Sequence, residues 1–243
     1  MFAIFRKELS SFFTSPVGYL VMVAFLVLSG LFLWVFKGAF NIFDYGFADL
    51  SPFFLLAPWV FLLLIPALTM KSFAEERKLG TLELLLSRPL PLPSLIVGKF
   101  LGVFVLATLA VLPTLLYVYT VSSLGSTPGN LDSGLVWGSY AGLVMLMAVY
   151  TAIGLFASSF TENQIAAFLI AILACFLFYY GPDSLATLFS DGGQALTVAD
   201  LGMKAHYENI SQGILDSRDL VYFISLTVFF LYLTALRINR LRP

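Results

Sequence analysis

The sequence predicts an all-α membrane protein with six transmembrane helices, and three observations carry that prediction. The first is composition: 60% of the 243 residues are hydrophobic and only 11% are charged, against roughly 25% charged in a soluble domain. Such a chain cannot cover its apolar surface with water-compatible groups, and its mean hydropathy of +0.95 agrees. The second is that the apolar residues gather into six windows, 17–36, 53–70, 100–121, 135–156, 165–180 and 220–236, each near the about 20 residues that a spanning helix needs. The third is the placement of charge. Arg6 and Lys7 precede the first window, Lys71, Arg77, Lys78, Arg88 and Lys99 lie between the second and third, and Arg237, Arg240 and Arg242 follow the sixth. Lys37, Lys204 and Arg218 alone fall in the loops of the other side. Basic loops stay on the cytoplasmic side, so both termini are expected in the cytoplasm.

The opening run "MFAIFRKELSSFFTSP" sets Phe2, Phe5, Leu9, Phe12 and Phe13 at helical spacing, with Arg6, Lys7, Ser10 and Ser11 elsewhere on the wheel. That pattern predicts a helix over 1–15 lying in the membrane interface, apolar face toward the lipids. A plain cytoplasmic extension of span one is the alternative. Pro16 suits the break where the chain turns into the bilayer. The first window is longer than the apolar core of a signal peptide, about 7 to 15 residues, and no small-residue cleavage site follows it; it is read as a span.

Spans two and three contain Pro58, Pro66 and Pro113, which free backbone carbonyls and permit kinks where neighbouring helices can satisfy them. Span four carries Gly138-x3-Gly142, and span five sets Ala167, Ala171 and Ala174 along one side. Small residues let helix backbones approach closely, within one subunit or across a dimer seam. The single cysteine, Cys175, lies in an apolar run and reads as a small buried residue.

Segment 181–219 is too long for a tight connection. It alternates apolar clusters (Leu185, Leu188, Phe189; Leu196, Val198, Leu201) with Asp and Gly, which predicts one or two short outer helices before span six. Its six acids against Lys204 and Arg218 make a face for a periplasmic partner or simply a solvated loop. His206 reads as a hydrogen-bonded loop residue rather than a site. Asn209-Ile210-Ser211 matches a glycosylation sequon, a weak three-residue signal.

Several chemistries are excluded by what is missing. None of the six windows contains Asp, Glu, Lys, Arg or His, although a carrier driven by a coupling ion needs ionisable groups within the membrane. Signatures of membrane hydrolases are absent, with no HExxH or GxSxG, and a lone histidine cannot build a multi-histidine metal site. The balance of 13 basic and 14 acidic residues rules out a generally basic nucleic-acid binder. Gly98-Lys99 lacks the upstream glycine and following Ser or Thr of a phosphate-cradling GxxxxGK[ST] loop; the lysine reads as marking where the chain re-enters the membrane and nothing more.

Polarity is instead concentrated between spans two and three, in "MKSFAEERKLGTLELLLSRPLPLPSLIVGK". Lys71 to Lys78 reads as a charged helix in which Lys71 with Glu75, and Glu75 with Lys78, can pair on one face. Gly80 breaks it, Thr81 is expected to cap a second short helix, and Glu83 lies near that helix's positive end. Leu79, Leu82, Leu85 and Leu86 form an apolar stripe, Arg88 falls in the last turn, Pro89 stops the helix, and Pro91 and Pro93 keep the return path extended. An amphipathic peg held between two spans suits force transmission from a docked cytoplasmic partner; a helix resting on lipid headgroups has the same pattern.

The run Phe73-x-Glu75-Glu76-Arg77-x2-Gly80-Thr81-x-Glu83-Leu84-Leu85, followed by a proline-rich exit and Gly98-Lys99, resembles the segment between the second and third spans of ABC-2 type permeases. "RKELSSFFTSPVGYL" and "HYENISQGILDSRDLVYF" resemble, within that family, the gliding-motility-associated permease subunit of Bacteroidetes-type bacteria, and the likeness covers essentially the whole chain. It implies a single permease domain over 1–243 in the bacterial inner membrane. By the same likeness the subunit would have no catalytic site of its own and would pair with a second permease copy or relative and with cytoplasmic ABC ATPase subunits that carry ATP and Mg. Segment 71–95 would hold the coupling helix seated on the ATPase. Phe73, Glu75, Glu76, Arg77, Gly80, Thr81, Leu82, Glu83 and Leu85 would be its contacts. Hydrolysis would drive export or mechanical work. A membrane enzyme of unrecognised chemistry and a structural anchor of a periplasmic complex are the rival classes.

Overall fold

The computed structural model describes residues 1–87, 91–125, 131–213 and 216–241, and of Val17 the backbone only. Arg88, Pro89 and Arg242 lie outside the described residues. Among those described the chain is helical throughout, with no strand: α1 (Phe2–Thr14), α2 (Pro16–Trp34), α3 (Ile42–Tyr45), α4 (Ser51–Thr69), α5 (Lys71–Lys78), α6 (Thr81–Leu86), α7 (Leu92–Val111), a 3-10 turn (Leu112–Thr114), α8 (Leu115–Leu124), α9 (Ser133–Ser158), α10 (Gln164–Ala186), α11 (Gly192–Ala199), α12 (Met203–Ser211) and α13 (Ser217–Asn239). Five helical stretches are long and apolar enough to cross a membrane, and a sixth if α1 and α2, bent by 68° at Pro16, count as one span. The protein is thus an all-α multi-pass membrane protein.

Local sequence signals set the helix ends. Asn41, Asp132, Asn163, Asp191 and Asp216 each accept backbone N–H groups at a helix start through their side chains, satisfying donors that have no intrahelical partner. Pro16 and Pro93 sit in first turns, where a missing N–H costs nothing. Pro113 turns the helix into the 3-10 turn that divides α7 from α8.

The core is α9. Its middle, from Leu143 through Leu155, is buried apart from the half-buried Val144, Met145 and Ala148, and the helix packs on α4, α10, α12 and α13. Small residues make the close contacts that lipid, which offers no hydrophobic drive, would otherwise not favour. A Cβ on Gly138 would lie 3.1 Å from the Ile210 carbonyl, and one on Gly142 only 3.0 Å from Ile210 Cγ2. Gly138-x3-Gly142 is therefore filled by α12 of the same chain. Ala167, Ala171 and Cys175 are buried on α10, which packs on α9 and α4.

The sequence windows were too short at polar ends. Span three extends back to Leu92 and takes in Lys99, and the last helix takes in Asp219 and Arg237. Hydropathy places these groups outside the membrane windows; inside the fold Lys99 and Asp219 are paired and Arg237 lies over the Phe160 ring, which allows the helices to continue through them. Segment 181–219 contains the end of α10 and two short helices. Of these, α11 buries none of its residues, whereas α12 buries Met203, Tyr207 and Ile210 within the bundle. His206 stands on α12 rather than in a loop.

Candidate functional site at the junction of α1, α5 and α7

The polar segment after span two folds as two short helices against the ends of several spans. Gly80 has φ +67°, a left-handed conformation that suits glycine, and reverses the chain between α5 and α6. Gly80 itself is the N-cap of α6, which corrects the expectation for Thr81. The Thr81 hydroxyl turns back and donates to the Glu76 carbonyl at 3.2 Å, occupying an acceptor at the end of α5. Glu83 does fall in the first turn of α6. Among the described residues neither the Lys71–Glu75 nor the Glu75–Lys78 ion pair forms; of the charges in this segment Glu76 and Arg77 reach other parts of the bundle instead.

The centre of that network is Lys99, which is 1% exposed. Its Nζ donates to Glu8 Oε1 at 2.9 Å, Glu76 Oε1 at 2.9 Å and the Ser72 carbonyl at 2.7 Å, and lies 5.1 Å from the Phe73 ring centroid. Lys7 reaches the same Glu76 oxygen at 3.5 Å. A buried ammonium is tolerated only when paired and hydrogen-bonded, and here all three donors are used. Reading Gly98-Lys99 as a mere point of membrane re-entry is therefore corrected: this lysine ties α1, α5 and α7 together. The glycines beside it seat α1. A Cβ on Gly98 would lie 2.9 Å from Ile4 Cγ2, and one on Gly102 would lie 2.7 Å from Glu8 Cβ.

Neither Glu8 nor this contact was found by sequence reasoning. The signal was present as Gly98-x3-Gly102, the small-residue spacing already recognised in span four, and as Ile4, Glu8 and Phe12 at intervals of four on α1. Glu76 Oε2 and Ser72 Oγ are buried without a hydrogen-bond partner. Both border a cleft of about 420 Å³ lined by Lys7, Glu8, Ser11, Lys71, Glu75 and Thr81, among others.

Further contacts fix the other side of the segment. Phe73 N–H donates to Ser158 Oγ at 3.0 Å, and Arg77 donates to the Ser159 carbonyl at 3.0 Å and to Glu162 at 3.3 Å. Phe73, Leu82 and Leu86 are buried with Leu95, Ile96, Leu155 and Ile238, burial that contributes about 1.5–3 kcal/mol per large side chain. The nine residues singled out in the sequence thus divide. Phe73 and Leu82 are core, Glu76 and Arg77 are engaged within the chain, and Glu75 and Leu85 are half-buried. Gly80, Thr81 and Glu83 are exposed. The expected leucine stripe also divides: Leu82 and Leu86 face inward, while Leu79 is 66% exposed and Leu84, which was not in the stripe, is 69% exposed.

A multi-pass bundle with a short helical hairpin locked beneath the ends of α7, α9 and α13 defines a class of membrane protein in which an accessory element touches many spans at once. Residues 2–235 match the family described as ABC-2 family transporter protein, and the chain belongs to that family. Membership makes it a permease component of an ABC transporter and implies a partner ATPase subunit. No curated protein matches the chain.

Proposed function

We propose that α5 and α6 form the coupling element of this permease and that the tip made by Leu79, Gly80, Thr81, Glu83 and Leu84 is the surface that seats a cytoplasmic ABC ATPase. One observation carries this reading. The inward face of α6 is fully used by Leu82 and Leu86, yet Leu79 and Leu84 leave two large apolar side chains exposed at the turn. An exposed apolar patch beside a rigid polar rim fits a partner's groove.

Motion of the tip would be transmitted through specific bonds. Glu76 carries it to Lys99 on α7 and, with Lys7 and Glu8, to α1; Arg77 and Ser158 carry it to the α9–α10 corner; Leu86 carries it to Ile238 on α13. The hairpin is in this reading connected to five helices, more than the two spans that flank it in sequence. ATP and Mg would belong wholly to the partner, as the chain has no phosphate-cradling loop.

On the charge distribution the termini and the hairpin are cytoplasmic, in the inner membrane of a bacterium, with α1 at the interface and α11 and α12 at the outer end. Pairing with a second permease, homologous or identical, and a role in gliding motility rest on the resemblance in sequence. Copurification in mild detergent tests the central point. Leu84→Asp, on an exposed position that leaves the fold intact, should lose the ATPase from the purified complex, whereas Leu188→Asp, at the opposite end of the bundle, should retain it. Retention of a stoichiometric, active ATPase by the Leu84 variant would remove the hairpin from this role.

A further inference from the structure

We propose that His206 and Asp219 form a proton-binding site that governs the seating of α12 in the bundle. The geometry requires a proton beyond that of a neutral imidazole. His206 Nε2 lies 2.8 Å from the Asp200 backbone carbonyl, an acceptor only, so Nε2 bears a hydrogen. Nδ1 lies 2.5 Å from Asp219 Oδ1. A second proton lies between those two atoms, and because imidazole is ordinarily the stronger base it is placed on Nδ1, as an imidazolium facing a carboxylate. The pair with this proton is neutral overall; without it, a carboxylate faces a nitrogen lone pair at contact distance.

Burial makes that difference matter. Asp219 is 3% exposed and its Oδ2 has no hydrogen-bond partner, so an uncompensated negative charge there is strongly disfavoured in a poorly solvated site. The imidazole is stacked on Tyr222, with ring centroids 3.9 Å apart. Other groups around it do not supply a substitute cation. On its own helix, Lys204 is committed to Asp183 of α10 at 2.7 Å and to Glu208 at 3.8 Å. On α13, Tyr222 donates to the Leu201 carbonyl, and Arg218 lies beside the exposed Asp216. The α9 surface beneath α12 offers Gly138, Ser139 and Gly142, none of which titrates.

The seated position of α12 depends on this pair because His206 is its link to the start of α13. The helix is otherwise held by Tyr207 on α4, by Ile210 over the α9 glycines and by Lys204 on α10. Loss of one proton to solvent leaves Asp219 buried and repelled, and the relief available is for α12 to move away from α13. The linkage has a fixed sign. The seated state binds the extra proton and is favoured at low pH; seating weakens as pH rises through the titration of the pair.

His206 is the only histidine, so the site can be read directly. The full chain, purified with a histidine-free tag and labelled with 15N-histidine, is titrated in lipid nanodiscs between about pH 5 and about pH 9, with hydrogen exchange of the α12 peptide followed in parallel and corrected for the intrinsic pH dependence. The expected result is a doubly protonated ring while α12 is protected, and a loss of protection of about tenfold or more as the ring proton leaves. In Asp219→Asn, protection no longer follows the imidazole signal. A singly protonated ring in a fully protected α12 overturns the proposal, as does titration of the ring with no change in protection. The wild-type titration alone decides these outcomes should the variant fail to fold.

Discussion

The Tyr207 hydroxyl donates to the Phe54 carbonyl over 2.8 Å, and that carbonyl is the one Pro58, four residues later, cannot occupy for lack of an N–H. A proline that frees an acceptor inside α4 is thus matched by a tyrosine from α12, 1% exposed. Tyr207→Phe is expected to cost about 1–2 kcal/mol by leaving the acceptor unpaired. Pro58→Ala restores a helical donor, so the double variant should lose little beyond Pro58→Ala alone. Thermal unfolding of the four proteins in one detergent checks this cycle; strict additivity would sever the link between the two residues.

Lys99 bridges two carboxylates, Glu8 and Glu76, whereas the exposed Lys7 reaches Glu76 alone. Lys99→Met leaves Glu8 and Glu76 facing each other, 13% and 16% exposed in their side chains, and should destabilise the protein by about 3 kcal/mol, the low end for a broken buried pair because both acids retain a solvent edge. Adding Glu8→Gln and Glu76→Gln should recover most of that loss. A triple variant no more stable than the single one would contradict the ion cluster.

The seating of α1 depends on absent side chains. Gly102→Ala places a Cβ 2.7 Å from Glu8 Cβ and should cost about 1–3 kcal/mol as α1 is pushed off α7. Faster hydrogen exchange in α1, with α9 unchanged, is the expected signature. An unchanged α1 would mean that the two helices are not in contact.

Much of the fold was legible because hydropathy alone marks apolar helices. Its failures were at polar residues whose partners are remote in sequence. Lys99 and Glu8 are 91 positions apart, and no local pattern predicts that they meet, so hydropathy starts this span at 100 whereas the helix starts at Leu92. The hairpin is legible in outline through Gly80, yet the sequence points to Thr81 as the cap, a position that the left-handed glycine takes instead. The stripe of leucines predicted one apolar face; the structure shows two, with Leu82 and Leu86 inward and Leu79 and Leu84 outward. A six-residue helix is too short for periodicity to separate them.

The Lys204 ammonium is pulled two ways. Burial alone lowers its pKa, but the hydrogen bond from its Nζ to Asp183 and the negative charges of Glu208 and Asp183 raise it overall above the ordinary 10.5. A raised value in the folded state means that this bridge's contribution, at most about 1 kcal/mol for a partly exposed pair, is fully present below that ordinary value and lost as pH rises through the higher folded one. Lys204→Met should therefore lower stability at neutral pH and narrow the difference from wild type in strong alkali. A difference independent of pH would argue against the bridge.

The most direct test of the coupling role is photocrosslinking in intact cells. A photoreactive amino acid is placed at Leu84, with the same residue at Leu188 at the far end of the bundle as control. The account predicts an adduct from position 84 with a protein carrying a Walker nucleotide-binding motif, and none from position 188. Adducts from position 84 only with lipid, or labelling of that position by an impermeant reagent applied outside the cell, would contradict it.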